Sequence, residues 1–127
     1  MVISSNSSSI RNSDARVFLV TGATGAIGKA IARQLAAISD SEVVLVCRDK
    51  NKAEQAVKEI ADSTGNTAVR FELADLNRYA DICRLAQRWT GPLHVLINAA
   101  ACTSRTRQET PDGIEMQFAR RCWINKT

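Results

Sequence analysis

The sequence has no apolar run approaching the ~18 residues that a membrane-spanning helix needs, which excludes a helical spanning protein. It has a single histidine, His94, and its four cysteines at 47, 83, 102 and 122 form no CxxC pair. Zinc sites usually draw their ligands from closely spaced Cys and His pairs, so the spacing argues against a metal centre. Three of the cysteines fall in or beside segments that read as core elements. That points to free thiols in a reducing, cytoplasmic compartment and away from a secreted disulfide framework. Aromatic residues are only 5% of the chain and do not alternate with basic ones, which leaves nucleic acid without a stacking surface. Charge of one sign is also scarce: 17 Lys and Arg against 13 Asp and Glu leave a net +4. The densest basic stretch, Arg105, Arg107, Arg120, Arg121 and Lys126, is interleaved with Glu109, Asp112 and Glu115 and reads as a solvated face. The N-terminus lacks the ~7–15-residue apolar core of a secretory signal. It has the serine content of an organelle transit peptide but only Arg11 and Arg16 as basic residues.

The 127 residues are 45% hydrophobic and 24% charged, the composition of one globular domain. Residues 1–13 are rich in Ser and Asn and read as a mobile tail, with too little apolar surface to offset their ordering entropy. A regular alternation then begins. Val17–Val20 is a short, continuous apolar run that stops at Thr21-Gly22, the pattern of a strand buried on both faces. Ile27, Ala30, Ile31, Gln34, Leu35 and Ile38 recur at helical spacing and predict an apolar stripe facing the core. Val43–Cys47 predicts a second buried strand. Ala53, Ala56, Val57, Ile60 and Ala61 predict a second helix, closed by Gly65. Residues 67–73 alternate and predict a third, less buried strand. Asn77 is the expected N-cap of a third helix running through Tyr79 to Trp89, in which Tyr79 is expected to pack. Gly91-Pro92 breaks that helix, and Leu93–Ile97 predicts a fourth strand on which His94 is structural. Thr110-Pro111-Asp112 has the form of a helix start, from which Ile114 and Phe118 could pack inward. Strands alternating with helices through short connections imply an α/β fold with a parallel sheet and right-handed crossovers.

The segment Thr21-Gly22-Ala23-Thr24-Gly25-Ala26-Ile27-Gly28 joins a buried strand to an amphipathic helix. Glycines in such a turn allow a tight bend and a close approach of phosphate to backbone. The helix N-terminus then offers free N–H groups and the positive end of its dipole. An ATP-type P-loop needs four residues between its glycines and then Lys-Ser/Thr. Here five residues separate Gly22 from Gly28, and Lys29 is followed by Ala30. Dinucleotide binding fits better, with Gly22, Thr24, Gly25, Ala26, Ile27 and Gly28 as the candidate contacts. NAD-binding units place an acid about 20 residues beyond the glycines to accept from the adenosine ribose hydroxyls. That position is Arg48, whose guanidinium can pair with a 2′-phosphate, so NADP is expected over NAD; the adjacent Asp49 is the competing feature.

Together these residues resemble the short-chain dehydrogenase/reductase family. TGATGAIG is similar to the family's TGxxGxxG nucleotide turn. Leu73-Ala74-Asp75-Leu76 is similar to the segment whose Asp contacts the adenine ring, which makes Asp75 and Leu76 candidates. Leu96-Ile97-Asn98-Ala99-Ala100-Ala101 is similar to the NNAG segment that steadies the sheet and borders the cofactor, which adds Asn98, Ala99 and Ala100. Residues 107–118, RQETPDGIEMQF, resemble the retinol-dehydrogenase-like branch. The resemblance runs over residues 16–119. It implies a Rossmann-type, doubly wound parallel sheet, incomplete at about four strands and three to four helices. It also implies NADP-dependent hydride exchange with an alcohol or carbonyl of an apolar substrate.

The match departs from the family in two places. The second Asn and the final Gly of NNAG are Ala99 and Ala101 here. The family's catalytic Ser and Tyr-x-x-x-Lys have no counterpart, since the one tyrosine, Tyr79, is followed four residues later by Cys83. The expectation is therefore a cofactor-binding half-domain over residues 14–119, truncated and inactive alone, followed by a divergent segment at 120–127. The alternative is a non-catalytic nucleotide-binding module. It would use an exposed fourth strand to associate with itself or with a full-length relative.

Overall fold

Residues 15–100 and 108–114 are described in the structure, a computed structural model. The apolar run at 17–20 extends one residue each way into strand β1 (Arg16–Thr21), where Val20 and Thr21 are fully enclosed. The chain continues through α1 (Ala26–Ala36), β2 (Ser41–Cys47), α2 (Lys50–Thr64), β3 (Val69–Leu73), α3 (Tyr79–Arg88) and β4 (Val95–Asn98). All neighbouring strands pair in parallel, in the order β3-β2-β1-β4. Parallel pairing requires a crossover between successive strands, and each helix supplies one. This is the expected incomplete Rossmann-type α/β sheet. The Ser-rich stretch 1–13, the segment 120–127, Ala101, Cys102, Phe118, Cys122 and Trp123 lie outside the described residues.

The sheet has a core on each face. Phe18, Val20, Val43 and Leu45 meet Ala32 and Ala36 of α1 and Ala53, Ala56 and Ile60 of α2. On the other face Val17, Leu19, Val44 and Val46 meet Ile82 and Leu85 of α3, with Trp89, Leu96 and Ile114 packed against them. Every residue of β2 is buried, since β2 is covered on both faces and flanked on both sides. β3 lies at one edge and is only half-buried. Its Arg70 pairs with Glu72 at 2.8 Å and sits 5.2 Å over the Trp89 ring, while Arg88 reaches Glu72 at 3.2 Å. Among the described residues β4 is the outer strand on the other side, with Val95 39% exposed.

Four local expectations are corrected. The apolar stripe of α1 is expected on Ile27, Ala30, Ile31, Gln34, Leu35 and Ile38. Of these, half-buried Leu35 packs against the core, but the enclosed face is Gly28, Ala32 and Ala36, while Ile27 is 74% exposed. The line nearest the sheet thus carries small side chains, with Leu35 beside it. Asn77 does not cap α3. The helix starts at Tyr79 after Arg78, with no side-chain cap from that residue, and the Tyr79 N–H donates to Asp112 Oδ2 at 3.1 Å. Tyr79 itself is 45% exposed and hydrogen-bonds Cys83, so it is not a packing residue. Finally, Thr110-Pro111-Asp112 opens a closed turn and no helix within 108–114. Thr110 N donates to Ile114 O at 2.8 Å, and Gly113, at φ +79°, carries the chain into the left-handed region. Ile114 does pack inward, as expected.

β4 begins two residues later than expected, and His94 fills the gap. Its N–H donates to Val17 O at 3.0 Å, while its Nδ1 accepts the Val17 N–H at 2.9 Å. The imidazole thus stands in for a backbone acceptor at the start of the β1–β4 ladder, the structural role expected of it. α2 is capped by Asp49, which accepts from Asn51 N and Lys52 N, and ends at Gly65.

Candidate functional site

The strand order places the site. From β1 the chain moves outward to β2 and β3, then returns to the opposite side of β1 for β4. At such a change of direction in an open α/β sheet, the carboxyl ends of the two neighbouring strands, here β1 and β4, border the place where a ligand crevice forms.

Its floor is the glycine turn, and the three glycines do different work. Gly22 sits at φ +68°, and a Cβ there would lie 2.7 Å from the backbone N and Cα of Ala100. It must be glycine both for its conformation and because the end of β4 passes directly over it. A Cβ on Gly28 would stand 2.1 Å from Gly22 O, so this residue lets α1 lie against the turn. Gly25 has neither constraint. Its backbone is extended at φ −79°, ψ 165°, and the nearest atom to an added Cβ is Gly22 O at 3.5 Å. A Cβ on Gly25 would meet no described atom nearer than that oxygen.

Gly25 is also the N-cap of α1. No side chain caps that terminus, and its first turn holds no acid. The N–H groups of a first turn have no acceptor within the helix, and with the dipole they favour an anion. Thr24, Gly25, Ala26 and Ile27 are all exposed at this lip. A pyrophosphate fits here in both charge and room.

The second wall is held by Thr21, which sequence reasoning did not single out. Its buried hydroxyl donates to Asn98 Oδ1 at 2.8 Å and accepts from Ala100 N at 3.1 Å. One hydroxyl thereby fixes Asn98, Ala99 and Ala100 beside Gly22. A polar residue at the end of an apolar strand was the available signal.

At the end of β2, Arg48 is exposed and makes no ion pair among the described residues. Its rival Asp49 is committed elsewhere: Oδ1 accepts from Asn51 N at 2.9 Å and Lys52 N at 3.3 Å. The Arg48 guanidinium stands exposed beside it at this strand end. Beyond β3, Asp75 Oδ1 accepts from Asn77 N at 2.9 Å, and Asp75 N donates to Asp81 Oδ2 at 3.0 Å. That last bond holds the Asp81 carboxyl below the usual Asp range. The Leu76 side chain is enclosed in the core, so only its backbone could face a ligand.

Two other groups are unsuited to chemistry. Burial pushes the Cys47 thiol up to about 11, which keeps it protonated and a poor nucleophile. The Tyr79 phenol is raised above its ordinary value, chiefly by its hydrogen bond to Cys83, the opposite of an activated acid/base tyrosine. Among the described residues no group of three or more His, Cys, Asp or Glu could hold a metal ion. Among them, too, no helix is long and apolar enough to cross a membrane.

Comparison with known proteins bears on this crevice. The family described as short chain dehydrogenase matches residues 16–125. The chain is 42% identical over 106 residues to human dehydrogenase/reductase SDR family member 12, covering 82% of this chain and 33% of that protein. It is 39% identical over 106 residues to human retinol dehydrogenase 11, covering 81% and 33% respectively. It thus spans about a third of the length of the curated relatives it matches. The solved short-chain dehydrogenase from Sphingobium yanoikuyae in complex with NADPH superposes with a TM-score of 0.65 at 29% identity. That match covers 87% of this chain and 42% of that one.

Proposed function

We propose that this chain, which belongs to the short chain dehydrogenase family, binds NADP(H) across the crevice between the ends of β1 and β4. The single observation that carries the reading is Gly25: a glycine demanded by no contact among the described residues, at the uncapped start of a helix. The pyrophosphate lies on the N–H groups of that first turn, against the bare face of Gly25, with Thr24, Ala26 and Ile27 at the rim. Arg48 pairs with the 2′-phosphate, which is why NADP is preferred to NAD. Asp75 and the backbone of Leu76 border the adenine. Asn98, Ala99 and Ala100 form the wall toward the nicotinamide end.

When bound, the nicotinamide supplies a hydride acceptor or donor for an alcohol or carbonyl carbon, here of an apolar substrate. The chain's own part is to bind and orient the dinucleotide. Its one tyrosine, Tyr79, belongs to α3, and Cys83 rather than a lysine stands four residues on. These 127 residues therefore position a cofactor without a proton donor, and on their own they bind without turnover.

Calorimetric titration with NADPH and with NADH tests the proposal. NADPH should bind more tightly, and Arg48→Ala should remove at least about tenfold of that preference, the worth of a charge-assisted hydrogen bond. Equal affinity for both cofactors, or a preference untouched by Arg48→Ala, overturns the NADP reading. A second reading, a non-catalytic module that associates with itself or a full-length relative, draws on the exposure of Val95 and Leu93 at the outer strand β4. A monomeric sedimentation profile counts against it.

A further inference from the structure

We infer that Asp112 is a positioning residue for the adenine end of the crevice, anchoring from beyond β4 the helix turn that sets Asp75. The inference rests on the cofactor reading above and adds to it a residue that touches no ligand.

The N-cap residue of α3, Arg78, contributes no side-chain cap bond. Its opening N–H groups need acceptors, and a carboxylate is the favoured one at the positive end of the dipole. Asp112 Oδ2 fills that role, accepting the Tyr79 N–H at 3.1 Å from 33 residues away in sequence. The turn that presents Asp112 is braced on itself. Thr110, 5% exposed, accepts on its hydroxyl from Asp112 N and Ile114 N, both at 3.3 Å. Thr110 N also closes on Ile114 O, and the Ile114 side chain is packed against the core beneath. Asp112 is therefore held at a corner of fixed geometry.

From Tyr79 the path to the crevice is short. Asp81 lies in the same first turn and accepts the Asp75 N–H at 3.0 Å. Asp75 O in turn accepts the Arg78 N–H at 2.9 Å, the residue immediately before the helix. The backbone of Asp75 is thus bonded on both sides to the start of α3, and Asp112 fixes that start. If the first turn frays, Asp75 loses its two backbone anchors together. The chain from the end of β4 onward consequently reaches the site at two places: at Gly22 through Asn98 and Ala100, and at the adenine end through Asp112.

The test compares the wild type with Asp112→Ala, Asp112→Asn and Asn66→Ala. Each is titrated with NADPH and with adenosine 2′,5′-bisphosphate, which probes the adenine half alone. Asn66 is the structural control. Its amide ties Ala36 O, Ser41 O and Ser41 Oγ, ahead of β3 and away from the glycine turn. Asp112→Ala should weaken both ligands by a common factor of about fivefold, the worth of a lost cap. Asp112→Asn, which keeps an acceptor oxygen, should recover most of that. Asn66→Ala should melt earlier and bind as tightly as the wild type. Wild-type binding that Asp112→Ala leaves intact, or an equal loss in Asn66→Ala, overturns this inference alone. A wild type that binds neither ligand overturns the cofactor reading and this inference with it. Should the alanine variant fail to fold, amide exchange of the wild type decides: saturating adenosine 2′,5′-bisphosphate should slow exchange at Tyr79 several-fold. An unchanged rate there overturns the inference.

Discussion

Changing Gly28 to alanine and changing Gly25 to alanine each add one carbon, to glycines three residues apart, with opposite expected results. At Gly28 the new carbon would stand 2.1 Å from Gly22 O and 2.7 Å from its carbonyl carbon, where ordinary contact begins at 3.4 Å. Both obstacles are backbone, so α1 must retreat from the turn by more than an ångström. Overpacking of this kind costs about 1–3 kcal/mol, offset by at most about 1 kcal/mol from alanine's better helix propensity. A net loss of about 1–2 kcal/mol should lower the urea midpoint by about 1 M. At Gly25 the backbone angles suit any residue, and the nearest atom lies 3.5 Å away. There the entropy lost by the unfolded chain roughly balances the weaker cap, leaving stability within about 0.5 kcal/mol of wild type. Its methyl group would stand where the pyrophosphate is proposed to lie, so NADPH affinity should fall tenfold or more. Urea denaturation and NADPH titration of both variants read the two effects separately. A Gly25→Ala protein that unfolds as early as Gly28→Ala refutes the division of labour among the glycines. One that binds NADPH normally refutes the phosphate cradle.

Two further outcomes follow from the hydrogen bonds. His94→Ala removes the acceptor of the Val17 N–H, in a residue only 1% exposed, and should cost about 1–3 kcal/mol in urea unfolding, with faster amide exchange at Val17. Unchanged stability would mean that the imidazole is not a working part of the ladder. For Asp81 the sign comes from its depressed carboxyl. Because the folded protein holds it below the ordinary 3.8, the stabilisation is complete above that pH and is lost as acid protonates the folded group. Asp81→Asn should therefore be less stable than wild type at neutral pH, with the two unfolding curves converging as the pH falls below the ordinary Asp range. Parallel curves across that range would contradict the assignment.

How much could be read in advance depended on how local each interaction was. β1 and β2 were legible because burial on both faces leaves unbroken apolar runs such as Val17–Val20. Gly65 was legible because a helix stop is set within a few residues. The glycine turn was legible for the same reason, with strand, bend and helix start consecutive in sequence. The inward face of α1 was misjudged because hydrophobicity favours Ile27 and Ile38. Close approach to a sheet instead selects Gly28, Ala32 and Ala36, whose smallness matters more than their polarity. Asn77 was plausible as a cap by type, yet the N–H at the helix start is accepted by Asp112, 33 residues on, and no local pattern reports that. The same distance hid the roles of Thr21 and of the His94 ring, each of which joins residues 77 apart. Nor does the sequence alone show that one oxygen of Asp49 accepts from the first turn of α2.

The position of β1 between β2 and β4 bears on the order in which this protein can assemble. Phe18 meets Val43 across a loop of 25 residues but meets Val95 across 77. Closing the longer loop costs about 1 kcal/mol more in chain entropy. On a ribosome the disadvantage is compounded, because β4 emerges after β1, β2 and β3. A nascent chain can join β1, β2 and β3 and settle α1 and α2 on one face while the glycine turn still has no opposite wall. Gly22 then faces solvent where Ala99 and Ala100 will later lie, and the hydroxyl of Thr21 has neither partner. Of the three strand pairings described, β1 with β4 closes the longest loop, so the wall of Asn98 and Ala100 beside Gly22 is the last of them to form.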